Sequence, residues 1–289
     1  MSDFGSSLDT LRSSGVVTVM RTAARIHGVD ATPPCRRGRD YGVEIVVARG
    51  ISDPCIPGSY VYRWKIPPSH IQTWHGIRTT TPVRTAADCA HHLPWLDAVA
   101  AVDKFLRVGL GREELAWFVE RTGRRRARTV VEVADAGAES TMETWVRCMI
   151  QEVGLPRPST QVAVRSGSET FKVDLGYREF RLGIEYDGQW FHAGAAFAGQ
   201  DARRRAAIGA AGWKLLVFNM RHVLVEPQAM LEYVLTTLCQ RGWRPTAERH
   251  RYIVRRIRRF AGLWRARREV WTDLALDLTG DAPLPSPTW

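Results

Sequence analysis

The spacing of apolar residues changes character along the chain. Near the start, Arg21-Thr-Ala-Ala-Arg-Ile-His27 has the length and composition of a short helix closed by Gly28. VEIVVARG (Val43 to Gly50) and SYVYRWKI (Ser59 to Ile66) are β-branched and aromatic runs bounded by Gly and Pro, the pattern of strands. From Thr81 the period lengthens. TPVRTAADCAHHL, PWLDAVAAVDKFLRVGL and GREELAWFVERTG read as three successive helices, with Pro82 and Pro94 at first-turn positions and Gly109, Gly111 and Gly123 as stops. Ala98, Val102, Phe105 and Leu106 recur at helical spacing and predict a core stripe. GRRRAR, Gly123 to Arg128, reads as a solvated, linker-like basic stretch, and a domain boundary is expected near it.

The next hundred residues have a clear order. Ser140-Thr-Met-Glu143 has the form of a capping box, in which hydroxyl and carboxylate satisfy each other's backbone amides. Its helix runs through Trp145, Met149 and Val153 to Gly154. QVAVR, TFKVDLGY and FRLGIEYDG follow as three strands, with turns at Ser166 to Ser168 and at Arg178-Glu179. A helix over roughly Ala198 to Ala211 stops at Gly212, WKLLVFN is a buried-type strand, and Pro227 to about Leu238 is a helix with Met230, Leu231, Val234, Leu235 and Leu238 on its apolar side. Beyond it Ile253, Ile257, Phe260, Trp264 and Trp271 recur near helical period among many arginines. The fold class expected is α/β: a core of helix, three strands, helix, strand and helix, with a smaller N-terminal α+β domain. The domains expected are 1–130, 131–240, and a basic amphipathic helix with a Pro-rich tail over 241–289.

Charge alters this picture more than composition does. The 289 residues hold 41 Lys+Arg against 30 Asp+Glu, a formal charge of +11, which suits a polyanionic partner. Arginine enrichment by a GC-rich genome would give the same balance, so charge alone only favours nucleic acid. The five cysteines, Cys35, Cys55, Cys89, Cys148 and Cys239, are scattered and form no Cys-x-x-Cys pair. That excludes a disulfide framework or zinc ribbon as the expected scaffold and fits a reducing cytoplasm. The first residues lack a signal pattern and no apolar run approaches a membrane span, so a cytoplasmic protein with no membrane partner is expected.

The candidate chemistry lies in the strands. Asp174 interrupts Phe171, Val173, Leu175 and Tyr177 on one strand, and Glu185 stands between Ile184 and Tyr186 on the next. Asp187, two positions on, projects to the same strand face as Glu185. Gly183 and Gly188 would allow close approach by backbone or substrate. Each acid alone reads as a solvent-facing strand residue. Three in adjacent apolar strands point to a site, because Asp and Glu are disfavoured there. Carboxylates fixed on one side of a cleft suit Mg²⁺, which relieves charge on the attacking and leaving oxygens of a phosphodiester.

Asp174, a hairpin, and then Glu185-x-Asp187 resemble the PD-(D/E)XK nuclease core. With AESTMETWVR, IEYDGQWFH and DARRRAAIGAAGWKLLVFN, residues from about Glu139 to Leu238 resemble the very-short-patch-repair-like endonucleases. The resemblance implies a metal-dependent DNA endonuclease of repair or of defence against foreign DNA. Asp174 and Glu185 would bind Mg²⁺ or Mn²⁺ and Glu143 would be the helical acid, preferred over Glu139, which reads as a cap or surface residue. Asp187 falls where the wider superfamily often has Lys, and His192 where the repair enzymes carry a functional His, as a proton shuttle or water-mediated metal contact. A lone His also reads as a packed side chain. Arg203, Arg204 and Arg205 would meet a phosphate or form a solvated helix face. Gln189 stands where the repair enzymes have a zinc-binding Cys, and no structural zinc is expected.

Arg255, Arg258 and Arg259 of the basic tail are candidate contacts to the DNA backbone. A helix packed on the body with a solvated Arg face fits the same pattern, and a membrane-surface helix fits it less well. RTAARIHG, a strand pair, GIRTTTPVRTAADCA and the helices after it resemble the C-terminal part of AbiEi-type antitoxins. Such antitoxins usually begin with a winged helix, for which the residues before Val16 are too few, so none is expected. This domain is a candidate surface for a homodimer or another protein partner. The alternative to the nuclease is a catalytically silent DNA-binding regulator, or antitoxin-like protein, that keeps the nuclease fold.

Overall fold

The computed structural model describes residues 11–12, 15–34, 42–47, 56, 58–188 and 195–266. The first segments are strands too short to show a period. β1 (Val17–Thr18) precedes α1 (Met20–Ile26), which ends ahead of Gly28 (φ +77°) as the sequence predicts. β2 (Glu44–Val46) and β3 (Tyr60–Tyr62) are the described cores of the two predicted strands. The hairpin β4 (Ile71–Trp74) and β5 (Ile77–Thr80) was not predicted. Its two-residue turn places both His75 (φ +43°) and Gly76 (φ +81°) in the left-handed region, as a tight hairpin of this hand requires. Histidine at the first position hides the usual Asn-Gly signal.

These strands form one mixed sheet in the order β3-β2-β1-β5-β4. Its centre is non-local, since β1 is antiparallel to β2 (Val17↔Val46) and parallel to β5 (Thr18↔Thr79). The three predicted helices follow as α2 (Pro82–His92), α3 (Trp95–Arg107) and α4 (Arg112–Arg121). Gly111 caps the start of α4 rather than stopping α3. The GRRRAR stretch is not a linker. Arg125–Val133 forms α5, because Ala127, Val130 and Val131 at helical spacing are buried. Two of the arginines there are structural: Arg124 reaches the wholly buried Asp88 at 2.6 Å and Arg126 donates to the Leu93 carbonyl. Arg84 holds the other oxygen of Asp88 at 2.8 Å.

The second half keeps the predicted order with one addition. α6 (Thr141–Glu152), β6 (Ser159–Ser166), β7 (Glu169–Tyr177), β8 (Leu182–Tyr186), α7 (Ala195–Ala210) and β9 (Lys214–Phe218) are followed by the unpredicted α8 (Met220–Leu224). Asn219 caps α8 by accepting from the His222 N–H at 3.2 Å, while His222 Nδ1 accepts from the Asn219 N–H at 3.1 Å. α9 (Pro227–Gln240) and α10 (Ala247–Ala266) complete the described chain. β6-β7-β8-β9 is a mixed sheet, antiparallel except for the parallel β8–β9 pair.

The chain divides into two compact units, Met1–Thr141 and Met142–Trp289, each a mixed α/β arrangement around its own mixed sheet. In the second unit Val162, Val164 and Val173 pack beneath Ile208 of α7, while the predicted stripe of α9 is wholly buried. α10 buries Ile253, Ile257, Ala261 and Trp264, each worth roughly 1.5–3 kcal/mol for the larger side chains. Trp264 stands edge-on to Trp145 at 5.9 Å and donates from Nε1 to the Leu224 carbonyl at 3.0 Å. Phe260 is half-buried, and Trp271 lies outside the described residues. Among the described residues, no helix is long and apolar enough to cross a membrane, and Cys89 and Cys239 are free thiols.

Candidate active site

β7 alternates Val173 and Leu175 toward the core, which turns Asp174 to the opposite face of the sheet. The β7–β8 ladder runs from Tyr177↔Leu182 to Leu175↔Ile184 and ends there. Beyond it β8 stays with β9, through Glu185↔Val217 and Tyr186↔Phe218. At this divergence the Asp174 carboxylate replaces a strand carbonyl, accepting the Tyr186 N–H at 2.9 Å. Glu185 lies at the same fork, 9% exposed. Glu143, 6% exposed, comes from the first turn of α6.

The three acids sense one another. Burial first, and then the charges of Glu143 and Glu185, push the Asp174 ionisation up from 3.8 to about 7, against the pull of the Tyr186 amide and of Arg204. Crowded carboxylates of this kind supply only hard oxygen donors, the type that Mg²⁺ and Mn²⁺ prefer. Glu185 is nevertheless already engaged. Arg204, midway along α7, forks onto both of its oxygens (Nη1 to Oε2 at 2.9 Å) and donates to the Lys172 carbonyl at 2.6 Å. Among the described residues no three carboxylate, imidazole or thiol groups stand ready to hold a cation as they are arranged. Asp174 and Glu185 therefore fit a divalent ion in chemistry, and Glu185 could take it only as Arg204 lets go.

Asp187 follows the end of β8, donates its N–H to the Phe218 carbonyl at 2.8 Å, and has its carboxylate 3.7 Å from Arg205. Arg205 also holds Asp201 at 2.6 Å. α7 starts earlier than the sequence suggests, so Arg203, Arg204 and Arg205 stand in its middle, and of the three only Arg203 is exposed. Glu139 is a surface residue paired with Arg107 at 3.5 Å. His192 and Gln189 lie outside the described residues. On α10, Arg255, Arg258 and Arg259 are exposed, whereas Arg256 is spent on Glu152 at 2.7 Å. Gly183 serves packing rather than substrate approach: a Cβ there would stand 2.9 Å from Leu215 and 3.4 Å from Val173.

Sequence reasoning missed Gln161. The pairs Thr160↔Leu175 and Val162↔Val173 place it across from Asp174. Its backbone is held at φ +48°, costly for a residue with a side chain, and its Nε2 donates to Glu143 Oε2 at 3.4 Å. The available signal was a polar residue in QVAVR at the position that pairing sets opposite the acid.

Residues 16–133, within the first unit, match the family model described as the AbiEi antitoxin C-terminal domain. The chain is also 30% identical over 230 residues to the uncharacterized protein Rv2248 of Mycobacterium tuberculosis strain H37Rv, across 76% of this chain and 80% of the relative. The same figures hold for the uncharacterized protein MT2308 of Mycobacterium tuberculosis strain CDC 1551. The chain belongs to the Rv2248 family. No solved structure matches it. Both relatives are uncharacterized and bring no activity to the site, and within this chain the similarity reaches well beyond the antitoxin-like segment.

Proposed function

We propose that this chain acts on DNA, with the second unit a PD-(D/E)XK-type endonuclease domain that uses Mg²⁺ or Mn²⁺, in repair or in defence against foreign DNA. The observation that carries this reading is the convergence of Glu143, Asp174 and Glu185 from α6, β7 and β8 where β8 parts from β7. A bound divalent ion would stabilise negative charge developing on the phosphodiester oxygens. Asp174 and Glu185 would hold it, Gln161 would fix the orientation of Glu143, and Arg204, released from Glu185, would turn to the phosphate. Exposed Arg203 and the Arg255, Arg258 and Arg259 face would neutralise flanking phosphates.

A second reading is favoured by two specific observations: the antitoxin-like match over residues 16–133, and Arg204 filling both oxygens of Glu185. In it the chain is a catalytically silent DNA-binding regulator of the antitoxin type. One experiment separates them. The full chain is incubated with supercoiled, single-stranded and mismatched DNA in Mg²⁺, Mn²⁺ or EDTA, beside Glu185→Ala. Metal-dependent cleavage lost in the variant supports the nuclease. Binding without cleavage in every condition supports the regulator, and equal cleavage by both proteins refutes the assignment of the site.

A further inference from the structure

The first unit contains a cleft of about 840 Å³, within the size range of small-molecule sites, that the nuclease reading does not use. Its walls include His27, His70, Trp74, Glu114, Trp117 and Phe118. Two of these are indoles left in solvent: Trp117 is 62% exposed and Trp74 40%. Large aromatic surface on the mouth of a cleft is uncommon unless something stacks on it.

The polar groups of the cleft have defined roles. His27 Nε2 lies 2.7 Å from the Thr80 carbonyl, which only accepts, so this nitrogen carries the proton and Nδ1 is the acceptor in the neutral ring. His70 is the reverse. Its Nδ1 accepts from Arg84 at 3.2 Å, which leaves Nε2–H as a donor. Burial keeps both imidazoles neutral by lowering their affinity for a second proton, with Arg84 acting in the same direction at His70. Glu114, in the first turn of α4, is an exposed carboxylate that only accepts. The residues lining the cleft thus include two oriented imidazoles, an accepting carboxylate and flat aromatic walls. No Lys or Arg stands among the residues lining it, so a phosphate inside would find no cationic side chain of either kind. A cation stands beside it, however: the Arg121 guanidinium lies 4.9 Å over the ring of Trp117, one of the residues lining the cleft.

We propose that this cleft binds a nucleobase, guanine above the others, stacked on the exposed indoles with its phosphate outside near Arg121. Guanine presents two adjacent N–H donors, N1 and N2, that a single carboxylate such as Glu114 accepts together, and its O6 and N7 are acceptors suited to the His70 N–H. The base arrives either as a free nucleoside or from a single strand, whose phosphates the basic chain attracts. The site is independent of the carboxylate cluster, so the two assignments stand or fall separately.

Titration calorimetry of the full chain in EDTA tests this with guanosine, adenosine, cytidine and choline. A five-nucleotide single strand with a central guanine and its central-abasic counterpart form the second arm. Trp117→Ala and Glu114→Gln alter exposed side chains, and unchanged melting temperatures verify their folds. Guanosine, or the guanine strand over the abasic one, is expected to bind, with affinity falling about ten-fold or more in Trp117→Ala. Glu114→Gln is expected to abolish the preference for guanine. The tighter of the two arms identifies the source of the base. Equal binding of the two strands with no nucleoside bound at millimolar concentration overturns the proposal. So does affinity unaltered in both variants, a preference for adenosine, or tighter binding of choline, which would make the aromatic walls a cation cage.

Discussion

Replacing Asp174 by Asn is expected to stabilise the protein at pH 8 and to leave it nearly unchanged at pH 4. Burial and the charges of Glu143 and Glu185 raise the Asp174 ionisation from 3.8 to about 7 in the folded chain. Between these values the folded state retains a proton that the unfolded state has lost, so stability declines as pH rises from about 4 to about 7 and the penalty is complete above 7. A change of this size corresponds to about 4 kcal/mol at 1.36 kcal/mol per pH unit for a fully desolvated group. Discounting for the partial exposure of this carboxyl brings the expected gain to about 2 kcal/mol. The Asn side-chain oxygen can still accept the Tyr186 N–H, so the strand fork is retained. For a unit of this size the gain amounts to roughly 4–8 °C in melting temperature. The assay is thermal and urea denaturation of both proteins at pH 4 and pH 8 in EDTA, followed on the transition that responds to the variant. Mn²⁺ at pH 8 should raise wild-type stability and not that of the variant. A variant destabilised at pH 8, or a difference independent of pH, would refute the carboxylate cluster as the origin of the shift.

Three further outcomes follow from other contacts. Arg204→Ala removes the cation from a Glu185 that is 9% exposed and is expected to lower stability in EDTA by about 2–3 kcal/mol, with Mn²⁺ restoring more of it than in wild type; a denaturation series with and without metal reads this. Asp88→Ala strands Arg84 and Arg124 in the first unit and should cost about 3–5 kcal/mol, measured by urea unfolding. The triple change of Arg255, Arg258 and Arg259 to Gln should leave melting unchanged, because all three are exposed, while reducing the salt slope of DNA binding by up to about 3 in fluorescence anisotropy. An unchanged slope would remove α10 from the DNA interface.

The sequence by itself determined the parts whose signal is local. Pro82, Pro94 and the glycines that follow delimit α2, α3 and α4, because caps and 3.6-residue apolar stripes are written within one element. Residues 141–240 were legible except for α8, since β6, β7, β8 and β9 are five to nine residues long, enough to show alternation and the acids that interrupt it. Tertiary structure decided the rest. The central strand of the first sheet is two residues long and pairs across roughly sixty residues of chain, so no window contains its signal. The helix over 125–133 reads as a basic linker until Ala127, Val130 and Val131 find a core. Gln161 gained its place from strand register, and Arg204 from the packing of α7 on the sheet. The acids were visible in the chain, but their surroundings were not: the arginine that occupies Glu185 lies nineteen residues further on, on another element, and reaches it only because α7 packs on the sheet that holds β8.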